Sequence, residues 1–315
     1  MKFSKEIFFI IALIGISPLT AMETPFPGKR KADEISVNSK QEDINPTQQL
    51  LNILESSWAW APEDEQVMRH EVEDLLEEGA DPNARNDHNI PALILATKTW
   101  NAALVALLLE YNANPDIQTN DGKTALHFST DHHARFGGTP DIIRILLAYG
   151  ANANIQDKNG ENALTSAILV DDIQAVDLLL KAGADPDMKS YLSGETSLHS
   201  AVIFKSRAVI QRLLEAGADP NIQNNLGNTP LQTIIQLPNL EIARMLLQAG
   251  ANPHITNNNG ESALSLLKRL INETQGEYFL QVMQWISHPE TLPKTGFEKL
   301  TSETYELIEP ILKGK

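Results

Sequence analysis

The sequence predicts an all-α solenoid, made of helix–turn–helix units stacked along one axis with a polar β-turn finger between successive units. Three observations predict it. A five-residue phrase, Gly79-Ala80-Asp81-Pro82-Asn83, returns in near copies that begin at Asn112, Gly150, Gly183, Gly217 and Gly250, spaced 33, 38, 33, 34 and 33 residues apart. A recurring interval of that length marks one supersecondary unit repeated along the chain. An apolar pair precedes every copy at constant offset: Leu75-Leu76, Leu108-Leu109, Leu146-Leu147, Leu179-Leu180, Leu213-Leu214 and Leu246-Leu247. After the copies, short polar turns lead into second apolar stretches, most of which open on Thr, Asn or Ser.

At the N-terminus, Lys2 and Lys5 precede an apolar run from Ile7 to Ile16, Ser17-Pro18 breaks it, and Ala21 offers a small residue for cleavage. Charged, apolar and small-residue regions in that order are the layout of a secretory signal peptide, here residues 1–21. The run falls short of the roughly 20 apolar residues that a membrane span needs. Export is therefore expected, to a periplasm, to the medium or into a host cell, where an effector role would be one use of it. Residues 22–45 read as a flexible linker with Pro25, Pro27 and mixed charges. Lys29-Arg30-Lys31 within it is too short a basic run to count as a targeting patch.

The repeat array is expected over residues 46–288, as six to seven units including the end units. Leu50, Leu51, Ile53, Leu54 and Trp58 share one helical face. Pro62-Glu63-Asp64-Glu65 opens the partner helix with acids at its positive end. This pair is the N-terminal cap that a stack requires. In the units that follow, Val72, Val105, Ile143, Val176, Ile210 and Ala243 stand one turn before the Leu pairs, and the i, i+3, i+4 spacing makes one buried face. The Gly after each pair ends the helix, because it takes the left-handed backbone without a Cβ penalty; Asn112 is the next-best residue there.

Each first helix then starts at a capping residue. Thr124-Ala125-Leu126-His127, Thr196-Ser197-Leu198-His199 and Thr229-Pro230-Leu231-Gln232 carry a Thr hydroxyl for the exposed amides, and Pro230 fits the first helical position. Asn162 and Ser262 keep a capping side chain, whereas Pro91 has none and Asn89 replaces the turn glycine, so the first helix there is expected to be less rigid. Residues Asp131 to Pro140 are an insertion that lengthens a first helix or the loop after it, and the finger at 189–193 holds one extra residue. At the far end, Leu264, Leu267, Leu270 and Ile271 form one helix face, and Phe279, Val282, Met283 and Ile286 a second. The tail, residues 289–315, places Phe297, Leu300, Tyr305, Ile308 and Ile311 at near-helical spacing, which predicts a short helix against the last unit or a peptide offered to a partner.

The 33-residue period and the Thr-x-Leu-His helix start resemble the ankyrin-repeat family over about residues 46–288. The resemblance implies an L-shaped stack whose fingers and first helices line a concave face, and it implies that this face binds other proteins. It also implies a hydrogen-bonding role between adjacent turns for His127.

Bulk chemistry narrows the function. The chain has 25 basic and 41 acidic residues, a formal charge of −16. That disfavours nucleic acid, whose binding rests on cations neutralising phosphates, and adhesion to an anionic membrane. With no cysteine, disulfides and thiolate chemistry are excluded. There is no phosphate loop, dinucleotide fingerprint or nucleophile elbow. The carboxylates Glu71, Glu73, Asp74, Glu77 and Glu78 read as a solvated helix face. No catalytic, cofactor-binding or metal-ligating residue is assigned, and a non-enzymatic monomer with an unidentified protein partner is expected. Two alternatives are a structural spacer and a metal-binding protein or enzyme built on His127, His132 and His133 beside Asp131; His132 and His133 are adjacent and point apart. Reading positions off the repeat places Trp100, Asp131, His132, Phe136, Tyr191, Phe204 and Leu226 on the partner face, with the aromatics as anchors. Trp100 stands where the family pattern has a small residue, and exposure is favoured for it.

Overall fold

In a computed structural model of the chain, the structure describes residues 45–56, 65–136, 140–237, 239–274 and 277–287. The expected signal peptide, all of the linker but its last residue, Trp58, Pro62 to Asp64 and the tail lie outside these residues. Fourteen α-helices and no strand occur among the described residues. None of these helices is long and apolar enough to cross a membrane.

The chain divides into two compact units, residues 1–158 and 159–315. The first holds α1 (Pro46–Ser56), α2 (Glu65–Glu77), α3 (Ala92–Lys98), α4 (Ala102–Glu110), α5 (Ala125–Phe136) and α6 (Asp141–Ala148). Successive helices pair, α1 with α2, α3 with α4 and α5 with α6. In addition α1, α3 and α5 pack in one row and α2, α4 and α6 in a second. The second unit repeats this scheme with α7 (Ala163–Leu169), α8 (Ile173–Lys181), α9 (Ser197–Phe204), α10 (Arg207–Glu215), α11 (Pro230–Gln236), α12 (Leu240–Gln248), α13 (Ala263–Thr274) and α14 (Glu277–Ser287). There α7, α9, α11 and α13 form the first row and α8, α10, α12 and α14 the second.

Helices of seven to nine residues are too short to persist alone, so packing holds them. Every residue of α3 from Ala92 to Thr97 is buried. In the second-row helices the first leucine of each pair is buried, and Leu108, Leu146, Leu179, Leu213 and Leu246 have no exposed area. α1 buries Leu50, Leu51 and Leu54 and is capped by Asn45, whose Oδ1 accepts from Gln48 N–H at 2.9 Å.

The Gly-Ala phrase is a helix stop with a specific hydrogen-bond pattern. Ala80 N–H donates to Leu75 C=O at 2.9 Å while Gly79 N–H donates to Leu76 C=O at 3.1 Å. The same two bonds recur at Leu108–Ala113, Leu146–Ala151, Leu179–Ala184, Leu213–Ala218 and Leu246–Ala251. This is the Schellman closure, in which a left-handed residue lets the chain turn back on the last carbonyls. Asn112 takes that conformation with φ 67°, as expected of the one non-glycine copy.

The rest of the phrase joins neighbours. Its third residue accepts a bond from the amide two residues on, as in Asp81 Oδ1 from Asn83 N–H at 2.8 Å and Asp219 Oδ1 from Asn221 N–H at 2.8 Å. The fifth residue reaches forward to the next copy. Asn83 Oδ1 accepts from Asn114 N–H at 2.7 Å and Asp116 Oδ1 from Asn152 N–H at 2.8 Å. In the second unit Asp187 Oδ1 accepts from Asp219 N–H at 3.0 Å and Asn221 Oδ1 from Asn252 N–H at 2.6 Å.

The insertion at Asp131 enters the helix: α5 has 12 residues, against 7 or 8 in α3, α7, α9 and α11. At α3 the missing side-chain cap is replaced by backbone. Ala92 N–H donates to Ala84 C=O at 2.9 Å, and Asn86 Oδ1 accepts from His88 and Ile90 N–H. α3 is thus tied at its start by these bonds, with Ala92 to Thr97 buried.

Candidate partner-binding surface

The fingers are built by side chains that fold the backbone over. Asn224 Oδ1 accepts from Leu226 and Asn228 N–H, and Asn257 Oδ1 from Asn259 and Glu261 N–H, each at 3.0 Å. Such Asx bonds give a tight turn without a sheet partner. In the second unit the tips are then strung together through the backbone. Tyr191 N–H donates to Asn159 C=O at 2.9 Å, Asn225 N–H to Ser193 C=O at 2.8 Å, and Asn258 N–H to Leu226 C=O at 3.1 Å. The tip glycines permit this approach: a Cβ at Gly160 would lie 2.4 Å from Tyr191 N, and one at Gly227 2.6 Å from Asn258 N. In the first unit Lys158 N–H bonds Asp121 C=O at 2.9 Å past Gly122 in the same way.

The extra residue at 189–193 changes one tip. Other fingers close their base from residue i to i+4, as in Asn224 N–H to Asn228 C=O; here Ser190 N–H reaches Glu195 C=O. Gly194 N–H bonds Ser190 C=O, four residues back, where Gly227 N–H bonds Asn224 C=O, three back. The β-turn has become an α-turn. The wider tip holds Tyr191 and Leu192 outward, 62 % and 69 % exposed, and Leu226 on the next tip is 67 % exposed. Asn225 Nδ2 donates to Leu192 C=O at 3.0 Å, which fixes the two tips side by side. Burial raises the Glu195 carboxyl above its usual pKa, against a Ser193 hydrogen bond that lowers it.

Beside Leu226 opens a groove of about 430 Å³ between the finger residues Asn257 to Asn259, Gln236 at the end of α11, and Arg269 and Leu270 of α13. Arg269 Nε pairs with Glu261 Oε1 at 3.2 Å. The groove is thus locally neutral and lined with amides in a strongly acidic chain. Phe204, 50 % exposed, ends α9, the helix that packs against α11.

Of the seven residues read from sequence as partner-facing, Tyr191 and Leu226 are brought together on adjacent tips. Trp100 belongs to the other unit and is half-buried, less open than expected. It occupies the left-handed residue between α3 and α4 with φ 64°, the role that Asp171 (φ 55°) and Lys205 (φ 58°) fill elsewhere. A large aromatic is rare in that conformation. Asp131, His132 and Phe136 fall on the backbone of α5, and their side chains lie outside the described residues. Sequence reasoning missed Leu192, whose signal was the inserted residue itself, and it missed Arg269 and Leu270 in the groove.

His127 is a structural tie. It is 1 % exposed, and its Nδ1 lies 3.1 Å from Thr124 N and 2.9 Å from Thr124 Oγ1. His199 repeats this with Thr196 and places Nε2 3.0 Å from Asn228 C=O, at the base of the next finger. The Thr196 N–H makes Nδ1 an acceptor, so Nε2 carries the proton and donates. Burial holds His199 down at about 4. Gln232 does the same job with an amide, accepting from Thr229 N–H and donating to Ile255 and Glu261 C=O. Among the described residues no three His, Asp or Glu side chains cluster as metal ligands would.

Comparison with known proteins agrees with this geometry. A family model described as ankyrin repeats (3 copies) matches residues 66–135, 132–224 and 198–267. An ankyrin repeat protein of Acanthamoeba polyphaga mimivirus is 36% identical over 77 residues, which are 24% of this chain and 18% of that relative's length. The crystal structure of the ankyrin repeat domain of Bcl-3, described as a unique member of the IkappaB protein family, superposes with a TM-score of 0.61 at 26% identity, covering 71% of this chain and 97% of that one. The human ASB11 ankyrin repeat domain gives 0.52 at 23% identity, over 68% and 90% of the two chains, a likeness of fold alone. Such repeats serve in general as protein-interaction scaffolds and are typically non-enzymatic. Matched by the family model from residue 66 to residue 267 and carrying the stops, fingers and paired helices described above, the chain belongs to the ankyrin-repeat family.

Proposed function

We propose that the chain is an exported, non-enzymatic binding module that takes a protein partner on the fingertips and first-helix ends of its second unit. The observation that carries this reading is the run of three large apolar side chains, Tyr191, Leu192 and Leu226, held outward on adjacent tips beside an amide-lined groove. Exposed apolar clusters rimmed by polar groups mark interaction sites, and aromatic side chains dominate binding energy at interfaces. The tips are fixed by backbone bonds, so a partner meets a preformed surface and little ordering cost is added on binding.

The test uses the chain and a Tyr191→Ala, Leu192→Ala, Leu226→Ala variant against the protein that wild type retains in cross-linked cell extracts. The variant should lose most of that binding with an unchanged melting temperature, since exposed positions contribute within about 0.5 kcal/mol. Undiminished affinity would remove the surface from consideration. Export is supported by the Lys2, Lys5 and Ile7–Ile16 pattern. N-terminal sequencing of the natural protein should find a new terminus after Ala21; an intact Met1 would refute it.

A further inference from the structure

The turns that join paired helices in the second unit carry an exposed feature apart from the fingertips. Leu169 ends α7, Ile173 opens α8 and Phe204 ends α9, and all three side chains are exposed. α7 packs on α9, so the two turns are neighbours, and the Ser206 hydroxyl ties them by donating to Asp171 Oδ1. Three large apolar side chains thus stand along one edge. Such a cluster marks an interaction site when polar groups rim it.

The rim here is basic. Lys205 and Arg207, one and three residues after Phe204, are both exposed. Arg212, further along α10, pairs with Asp177 and Glu215 at 3.2 and 3.4 Å, so its charge is answered within the chain. Asp171, the acid beside this turn, accepts the Ser206 hydroxyl. The edge therefore offers positive charge beside an aromatic ring, in a chain whose formal charge is −16. The turn is also fixed. Lys205 N–H donates to Val202 C=O and Ser206 N–H to Ala201 C=O, each at 3.1 Å. A partner meets the ring and the charges already set, at little ordering cost.

We propose that this edge binds an acidic protein segment that carries an apolar side chain. The apolar residue seats among Phe204, Leu169 and Ile173, and the carboxylates pair with Lys205 and Arg207. This rests on the reading that first-helix ends of the second unit face a protein partner, and it names that partner's chemistry. Charge complementarity selects the acid. The chain as a whole repels an acidic segment while this edge attracts it, so the contact sets where the segment lands as well as how tightly it holds. An anionic membrane also offers acids and apolar depth, but it is a broad surface that meets the repulsion of the whole chain.

The probe is a fluorescein-labelled peptide of alternating glutamate and leucine, with the glutamine–leucine peptide as its uncharged counterpart, titrated by anisotropy against the full chain. Wild type should bind the acidic peptide about tenfold more tightly or better at low salt, and the gain should shrink as salt is raised. Lys205→Glu with Arg207→Glu should abolish the gain. Both positions are exposed, and an acid at the start of α10 suits the helix dipole, so the melting temperature should hold. Phe204→Ala should weaken both peptides by a similar factor. Equal binding of the two peptides by wild type, or an undiminished gain in the double variant, overturns the proposal. The Tyr191→Ala, Leu192→Ala, Leu226→Ala variant should keep the gain; its loss there would move acid recognition to the tips and overturn this assignment. Capture of the natural protein by that tip variant bears on the earlier reading alone. Two further results would also overturn the proposal: flotation with phosphatidylserine vesicles that the double variant abolishes, which assigns the edge to a membrane, and a wild-type dimer in sedimentation that the double variant lacks, which assigns it to a second copy of the chain.

Discussion

Replacing His199 by Gln removes one buried titrating group while keeping its hydrogen bonds, because Gln232 already makes the same bonds one repeat later. In the folded chain burial lowers His199 from the ordinary 6.5 to about 4. The unfolded chain therefore takes up the proton first as the pH falls. Stability is complete above pH 6.5 and is lost progressively down to about 4, below which this group adds nothing further. A difference of about 2.5 units at about 1.36 kcal/mol each is roughly 3 kcal/mol in all, of which about 2 kcal/mol is gone by pH 5. Burial raises Glu195 and Asp187, so these bind protons more readily in the folded chain and offset part of the loss. Both groups are present in the variant, and their effect cancels in the comparison. Urea unfolding of wild type and His199→Gln, at about pH 7.5 and about pH 5, should show wild type losing about 2 kcal/mol more than the variant. Exchange of the α9 amides provides the same readout locally, which matters for an array whose units can open separately. Parallel pH dependence in the two proteins, or an NMR titration of His199 near 6.5, would refute the reasoning.

The two kinds of glycine should separate cleanly. Gly183→Ala, where only the positive φ is at issue, should cost about 1 kcal/mol, and Gly183→Asn still less, as Asn112 shows. Gly160→Ala adds a collision with Tyr191 backbone and should cost clearly more, on the order of 2 kcal/mol or above; thermal melts of the three variants check the order. Asn221→Ala cuts the bonds to Asn252 N–H and Gly250 C=O and should lower stability by about 1 kcal/mol, visible as faster exchange at Asn252.

The local grammar of the repeat was legible because it is written in neighbours. A leucine pair, a left-handed stop and a capping Thr each depend on residues within one turn, so Leu213-Leu214, Gly217 and Thr229 could be placed from spacing alone. What depends on the next copy was not legible. Asn221 reads as a turn residue, and its bond to Asn252 appears only when two units are stacked. Gly160 reads as a turn glycine, while its second requirement comes from Tyr191 in the following finger. The insertion at Asp131 allowed a longer helix or a longer loop, and the backbone is helical as far as Phe136. Trp100 stood out by residue type, but its left-handed backbone carries no signature of its own. The second-row caps Asn101, Asp172 and Asn239 were present in the sequence as short polar residues before apolar runs, and would have been readable.

The forward-reaching side chain of each phrase has a consequence for how such a chain can change. Asn83 meets Asn114 through the same pair of atoms by which Asn221 meets Asn252. A block cut between equivalent points of two phrases brings one amide donor in and carries one acceptor out. Its loss or duplication leaves the flanking phrases with matching joints. Length is thus free to vary in whole units, while a partial unit would leave a joint without its mate.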